Sequence, residues 1–173
     1  MANTHILISS VSVGSGGAAN IDFTSIPSTY TDLYVLLSTR LTSTGGAQDT
    51  TWLYSINGVT NAFTDRVIRA DGSSTSSFVP SETPFYIGQS PTASGTVSTF
   101  SSHSLYIPNY ANTSYNKYIS VDSVQENNST TAYTSLSTGV WASTAAITSL
   151  SFSTNSGSFA EYSTAYLYGI SNA

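Results

Sequence analysis

Asp32-Leu33-Tyr34-Val35-Leu36-Leu37-Ser38-Thr39-Arg40-Leu41 is the stretch on which the fold turns. Successive side chains of an extended strand point to opposite faces, so Leu33, Val35 and Leu37 share one side while Tyr34 and Leu36 share the other. Both sides are apolar, which predicts a central strand covered on both faces. Helical spacing is absent here and from every window of eleven or more residues, and Glu and Lys, common on surface helices, are nearly missing.

The same reading extends outward in both directions. Residues 5–13, closed by Gly14-Ser15-Gly16-Gly17, and residues 18–23, closed at Ile26-Pro27, predict a β-hairpin. Downstream, residues 52–57 run into Asn57-Gly58, the strongest short turn signal, and residues 65–70 into Asp71-Gly72. Residues 71–83 and 89–95 are polar and Ser-rich and read as surface loops, with a short strand at 84–88 between them. Residues 96–107 follow as a strand with Val97, His103, Leu105 and Ile107 on one face, and then 117–124, 131–142, 147–153 and 163–170. About ten short strands with turns between them predict an all-β fold: a two-sheet antiparallel β-sandwich, within that class a jelly roll, forming a single domain over residues 1–173.

Composition agrees with that class. A chain of 173 residues buries roughly two-thirds of its unfolded surface and needs no staples. Only 8% of residues are charged, while Ser and Thr fill about a third, and Thr favours strands over helix interiors. Arg40, Arg66, Arg69 and Lys117 stand against nine acids, for a net charge of −5. No basic stripe is present to displace counterions from phosphates, which argues against nucleic acid and against an anionic membrane surface. Cysteine is absent, which excludes disulfides, a thiolate nucleophile and Cys-ligated zinc. Residues 1–10 lack a basic region and a long apolar run, and no stretch is long enough to span a bilayer, so the expectation is a soluble protein made in a cytoplasm.

Motifs that carry chemistry are few. Gly14-x-Gly16-x-x-Ala19 formally matches a dinucleotide fingerprint, but residues 18–23 read as strand where that motif opens a helix. His5 and His103 have no second ligand at metal-site spacing and read as strand residues. Asp49, Asp65, Asp71 and Asp122 lack calcium-loop spacing. Glu82, Glu126 and Glu161 could supply the paired carboxylates of a glycosidase, and exposed loop positions are the simpler reading. The sequons at Asn112, Asn127 and Asn128 carry no meaning without a secretory signal. With no nucleophile elbow and no Walker sequence, the chain reads as a non-enzyme with no catalytic residue, no metal and no cofactor. The informative residues are aromatic. Trp52, Trp141, Tyr106, Tyr110 and Tyr162 combine a large apolar face with a polar tip and are the candidates for protein contact or sugar stacking, beside Tyr166 and Tyr168.

The segment Ser9-Ser-Val-Ser-Val-Gly-Ser-Gly-Gly-Ala-Ala-Asn-Ile-Asp-Phe-Thr-Ser-Ile-Pro-Ser-Thr-Tyr-Thr-Asp-Leu33 resembles the opening of virion and tail-fibre-like proteins of tailed bacteriophages. Tyr110-Ala-Asn-Thr-Ser-Tyr-Asn-Lys-Tyr118, Ser143-Thr-Ala-Ala-Ile-Thr-Ser-Leu150 and Gly157-Ser-Phe-Ala-Glu-Tyr-Ser-Thr-Ala-Tyr-Leu-Tyr-Gly-Ile170 carry the resemblance further. It implies a β-sandwich on a phage particle and no reaction. The expectation is therefore a virion-surface structural protein, a capsid decoration or cement protein, since no attachment region or shaft precedes the first strand. Its expected partners are its own subunits, as a homotrimer, and capsid or tail proteins. Only four tryptic sites are present, which suits a particle exposed to proteases. The alternative is a tail-fibre or receptor-binding head that binds host-surface carbohydrate through Trp52, Trp141 and surface tyrosines.

Overall fold

The computed structural model describes residues 4–80, 83–126 and 132–171, and every regular element in them is a strand. In chain order these are β1 (His5–Ser12), β2 (Asn20–Phe23), β3 (Asp32–Thr39), β4 (Gln48–Ile56), β5 (Phe63–Ala70) and β6 (Thr75–Phe78). The second half supplies β7 (Phe85–Pro91), β8 (Ser101–Ile107), β9 (Lys117–Gln125), β10 (Thr134–Trp141), β11 (Leu150–Thr154) and β12 (Thr164–Ile170). All pairings are antiparallel. They build an eight-stranded sheet in the order β1-β12-β3-β8-β9-β10-β5-β6 and a four-stranded sheet in the order β2-β11-β4-β7.

The β-sandwich follows from period-2 burial. Leu33, Val35 and Leu37 of β3 align with Ile107, Leu105 and His103 of β8, and these rows are buried against Leu53, Phe85, Leu150 and Phe152 of the smaller sheet. On β9 the alternation is complete, with Lys117, Ile119, Val121, Ser123 and Gln125 buried and the residues between them exposed. The central position of β3 is as expected, but its second face is only half covered: Tyr34 and Leu36 lie on the outer side of the large sheet, over which no other layer of the described residues packs.

The expected 5–13/18–23 hairpin does not form. Although β1 and β2 fall where the pattern put them, β1 pairs with β12 and β2 with β11, so the Gly14–Gly17 turn carries the chain from one sheet to the other. Sequence-adjacent strands pair only as β5–β6, β8–β9 and β9–β10. The polar stretch expected as a loop at 71–83 contains β6, a four-residue edge strand that ends in Phe78, and the expected loop at 89–95 begins inside β7. Val97, expected on a strand face, lies in a turn before β8. The Asn57-Gly58 turn is formed with positive φ at both residues, and the Asn57 side chain accepts the Thr148 and Ser149 N–H groups, locking the β4 turn to the segment before β11.

Candidate functional site

The five aromatic candidates do not converge. Trp141 is buried at the end of β10, in phase with buried Ser135 and Ser137. Tyr110 is fully buried and its hydroxyl donates to the Pro27 carbonyl. Both are core residues and neither is available for contact, because period-2 phase and a loop wrap, respectively, carry them inward. Tyr106 lies on the outer face of the large sheet, its hydroxyl donating to Asp32 Oδ2 at 2.8 Å while Asp32 Oδ1 accepts the Asn109 N–H. The hydrogen bond to the Asp32 carboxylate holds the Tyr106 phenol above its usual pKa. Tyr162 projects from the loop before β12, 71% exposed and with positive φ.

Tyr106 lines a shallow groove of the outer face beside Tyr34 and Leu136, and Trp52 enters a separate cleft. A shift in the β4–β7 register makes Trp52 and Tyr86 cross-strand partners, their rings edge to face at 5.8 Å between centroids. Phe78 of β6 meets Tyr86 in the same way at 5.6 Å, and its partner Val67 of β5 completes a small apolar cluster apart from the main core. Beneath it the Asp65 carboxylate accepts the Tyr86 N–H at 3.0 Å and ties β5 to β7; burial pushes that carboxyl above its usual range. Above the cluster opens a cleft of about 280 Å³. Its aromatic side is Trp52, Phe78 and Tyr86, and its polar side is Thr50, Arg69, Gln89 and Asn155. Arg69 is two residues along β5 from Val67, and its guanidinium lies over the rings of Phe78 at 5.2 Å and Tyr133 at 4.9 Å. Those rings are its only side-chain partners among the described residues, and no carboxylate is among them. The Tyr86 hydroxyl is buried and has no hydrogen-bond partner among the described residues.

The sequence pattern gave no signal for Arg69, Phe78, Tyr86, Gln89 or Asn155. β6 is too short and polar to read as a strand, and the cleft exists only because β5–β6 folds beside β4–β7.

His103 is fully buried at the centre of a hydroxyl nest. Its Nε2 is 2.7 Å from Ser101 Oγ, 3.1 Å from Ser90 Oγ and 3.2 Å from Thr39 Oγ1, and its Nδ1 is 3.0 Å from Ser123 Oγ. Thr51 joins through Ser90 at 2.8 Å. With no acid in the nest, burial depresses the imidazole pKa to about 3, so the ring stays neutral, one nitrogen donating and the other accepting. A serine hydroxyl beside an imidazole is the geometry of an activated nucleophile. Here the pair is sealed from solvent and lines none of the clefts described, so it acts as packing. The other imidazole, His5, is exposed at the start of β1, with its ring edge to face with Tyr34.

Of the carboxylates considered for glycoside chemistry, Glu82 lies outside the described residues, as do the sequons at Asn127 and Asn128. Glu126 follows β9 and Glu161 precedes β12, and those strands are separated by β3 and β8. Strand spacing sets those two strands about 14 Å apart, and neither glutamate lies within its strand. No group of three or more metal-ligating side chains occurs among the described residues.

Compared with protein-family models and with curated proteins, the chain matches none.

Proposed function

We propose that this chain is a non-enzymatic structural protein of a tailed-phage particle, a decoration or cement protein on the capsid surface that associates with its own copies, as a trimer, and with capsid protein. The observation that carries the reading is the bare outer face of the eight-stranded sheet. Ile68 and Leu136 are cross-strand partners there, 56% and 58% exposed, and Tyr118, Val124 and Tyr166 extend the exposed apolar surface across β9 and β12. Such side chains gathered on one sheet face are what an assembly surface needs when few charges are available to supply affinity. The strand order also supports a finer fold reading. Without β5, β6, β9 and β10 the sheets read β1-β12-β3-β8 and β2-β11-β4-β7, the arrangement of a jelly roll. Mass spectrometry of purified virions tests the proposal: hundreds of copies per particle support it, and absence of the chain overturns it.

A second reading, a receptor-binding head on the tail, is favoured by the Trp52 cleft. It expects a few to tens of copies per virion instead.

A further inference from the structure

We infer that the cleft between β4–β7 and β5–β6 is a binding site for a single carboxylate-bearing sugar ring, a uronate-type saccharide unit. The inference deepens the receptor-binding reading, on which its biological setting rests, and its geometry stands on the cleft alone.

Three features combine. First, the lining pairs aromatic surface from Trp52 and Phe78 with the amides and hydroxyl of Gln89, Asn155 and Thr50, the mixture that a sugar's apolar C–H face and polar rim require. A volume of about 280 Å³ suits one ring and not an extended chain held end to end.

Second, Arg69 is a cation on the same face of β5 as buried Val67 and Asp65, where an apolar residue would ordinarily serve. Contact with the faces of Phe78 and Tyr133 holds the guanidinium in place but uses none of its in-plane N–H donors. Contrast Arg40, which is also half-buried without an acid: its guanidinium donates to the carbonyls of Gly95, Thr96 and Thr99 and is thereby a structural clamp. Arg69 has no such carbonyls among the described residues. A planar fork with free donors at the rim of a cleft fits a carboxylate two-pronged.

Third, the Tyr86 hydroxyl, on a residue that lines the cleft and is itself buried, has no partner among the described residues. Buried hydroxyls are ordinarily hydrogen-bonded, so this one marks a polar position that the fold by itself leaves incomplete.

The test is a titration of the full chain with methyl β-glucuronide, methyl β-glucoside and acetate, following the Arg69 Nε–H and Trp52 Nε1–H resonances. The glucuronide is expected to shift both resonances saturably and to bind about tenfold or more tighter than the glucoside or acetate. Arg69→Gln, with its fold checked by the amide spectrum, is expected to bring the glucuronide down to the level of the glucoside. Arg69→Lys, which keeps the charge, is expected to keep the preference at lower affinity. No shift of either resonance with the glucuronide overturns the inference, as does equal affinity for glucoside and glucuronide, or for acetate and glucuronide. A silent cleft in a chain abundant on virions removes this site and leaves the capsid reading intact; binding by a chain absent from virions does the reverse.

Discussion

The His103 nest and the Arg69 cleft are both polar clusters inside an otherwise apolar sandwich, and they are finished differently. In the nest every hydroxyl and both ring nitrogens find one another at 2.7–3.2 Å, and nothing reaches solvent. In the cleft a guanidinium and a phenol are positioned by packing and meet no hydrogen-bond partner among the described residues. A polar cluster that satisfies itself stabilises the fold and fixes its register, whereas one that is held open is a place for something else to bind.

That contrast is broken most sharply at Gly88. A Cβ there would occupy the position of the Ser123 hydroxyl and crowd His103, so Gly88→Val is expected to destabilise the chain by about 3 kcal/mol or more, measured by urea denaturation. A loss under about 1 kcal/mol would mean that the nest is loosely packed and not a sealed unit.

The nest also predicts a pH dependence. The folded imidazole stays neutral down to pH about 3, while the unfolded one takes up a proton near its ordinary value of 6.5. Between those values the unfolded state holds more protons, so stability falls as pH drops, by up to about 1.4 kcal/mol per unit from this group. Above pH 6.5 the group contributes no slope. Unfolding free energies at pH 7, 6 and 5 should show the decline in the wild type and lose most of it in His103→Gln.

A smaller effect is expected at Asn57, whose side chain accepts two backbone N–H groups and whose φ is positive. Asn57→Ala should lower stability by about 1–2 kcal/mol, seen as a fall in Tm, through two lost hydrogen bonds and a strained backbone.

The smallest stability effects belong to the open surfaces. Leu136→Asp is expected to change unfolding free energy by about 0.5 kcal/mol or less, since Leu136 is exposed, and Arg69→Gln by about 1 kcal/mol or less, the worth of its contacts with Phe78 and Tyr133. Leu136→Asp should instead weaken self-association in analytical ultracentrifugation. Unchanged association would move the interface off the outer face of the large sheet.

Much of this fold was legible in advance, for local reasons. Strands β3, β9, β10 and β12 fall close to where alternation placed them, and Asn57-Gly58 and Asp71-Gly72 are turns. What alternation cannot give is a neighbour. It assigned His103 to a face with Leu105 and Ile107, correctly, but could not place Thr39, Ser90 and Ser123 around it from 64, 13 and 20 residues away. It offered Trp141 and Tyr110 as contact residues because an aromatic side chain reads the same whether it ends in core or on a rim.

The sequence by itself determined the all-β class, the succession of most strands and the scarcity of charge, since period, turn chemistry and composition are properties of short segments. Only the tertiary structure decided that β1 and β2 part to different sheets, that β6 is a strand at all, that the hydroxyls close around His103 and that Arg69 meets Trp52 across a cleft. Those outcomes depend on which strands pair over long separations. Pairing is set by how the whole set of faces is buried together, a sum that no single segment contains.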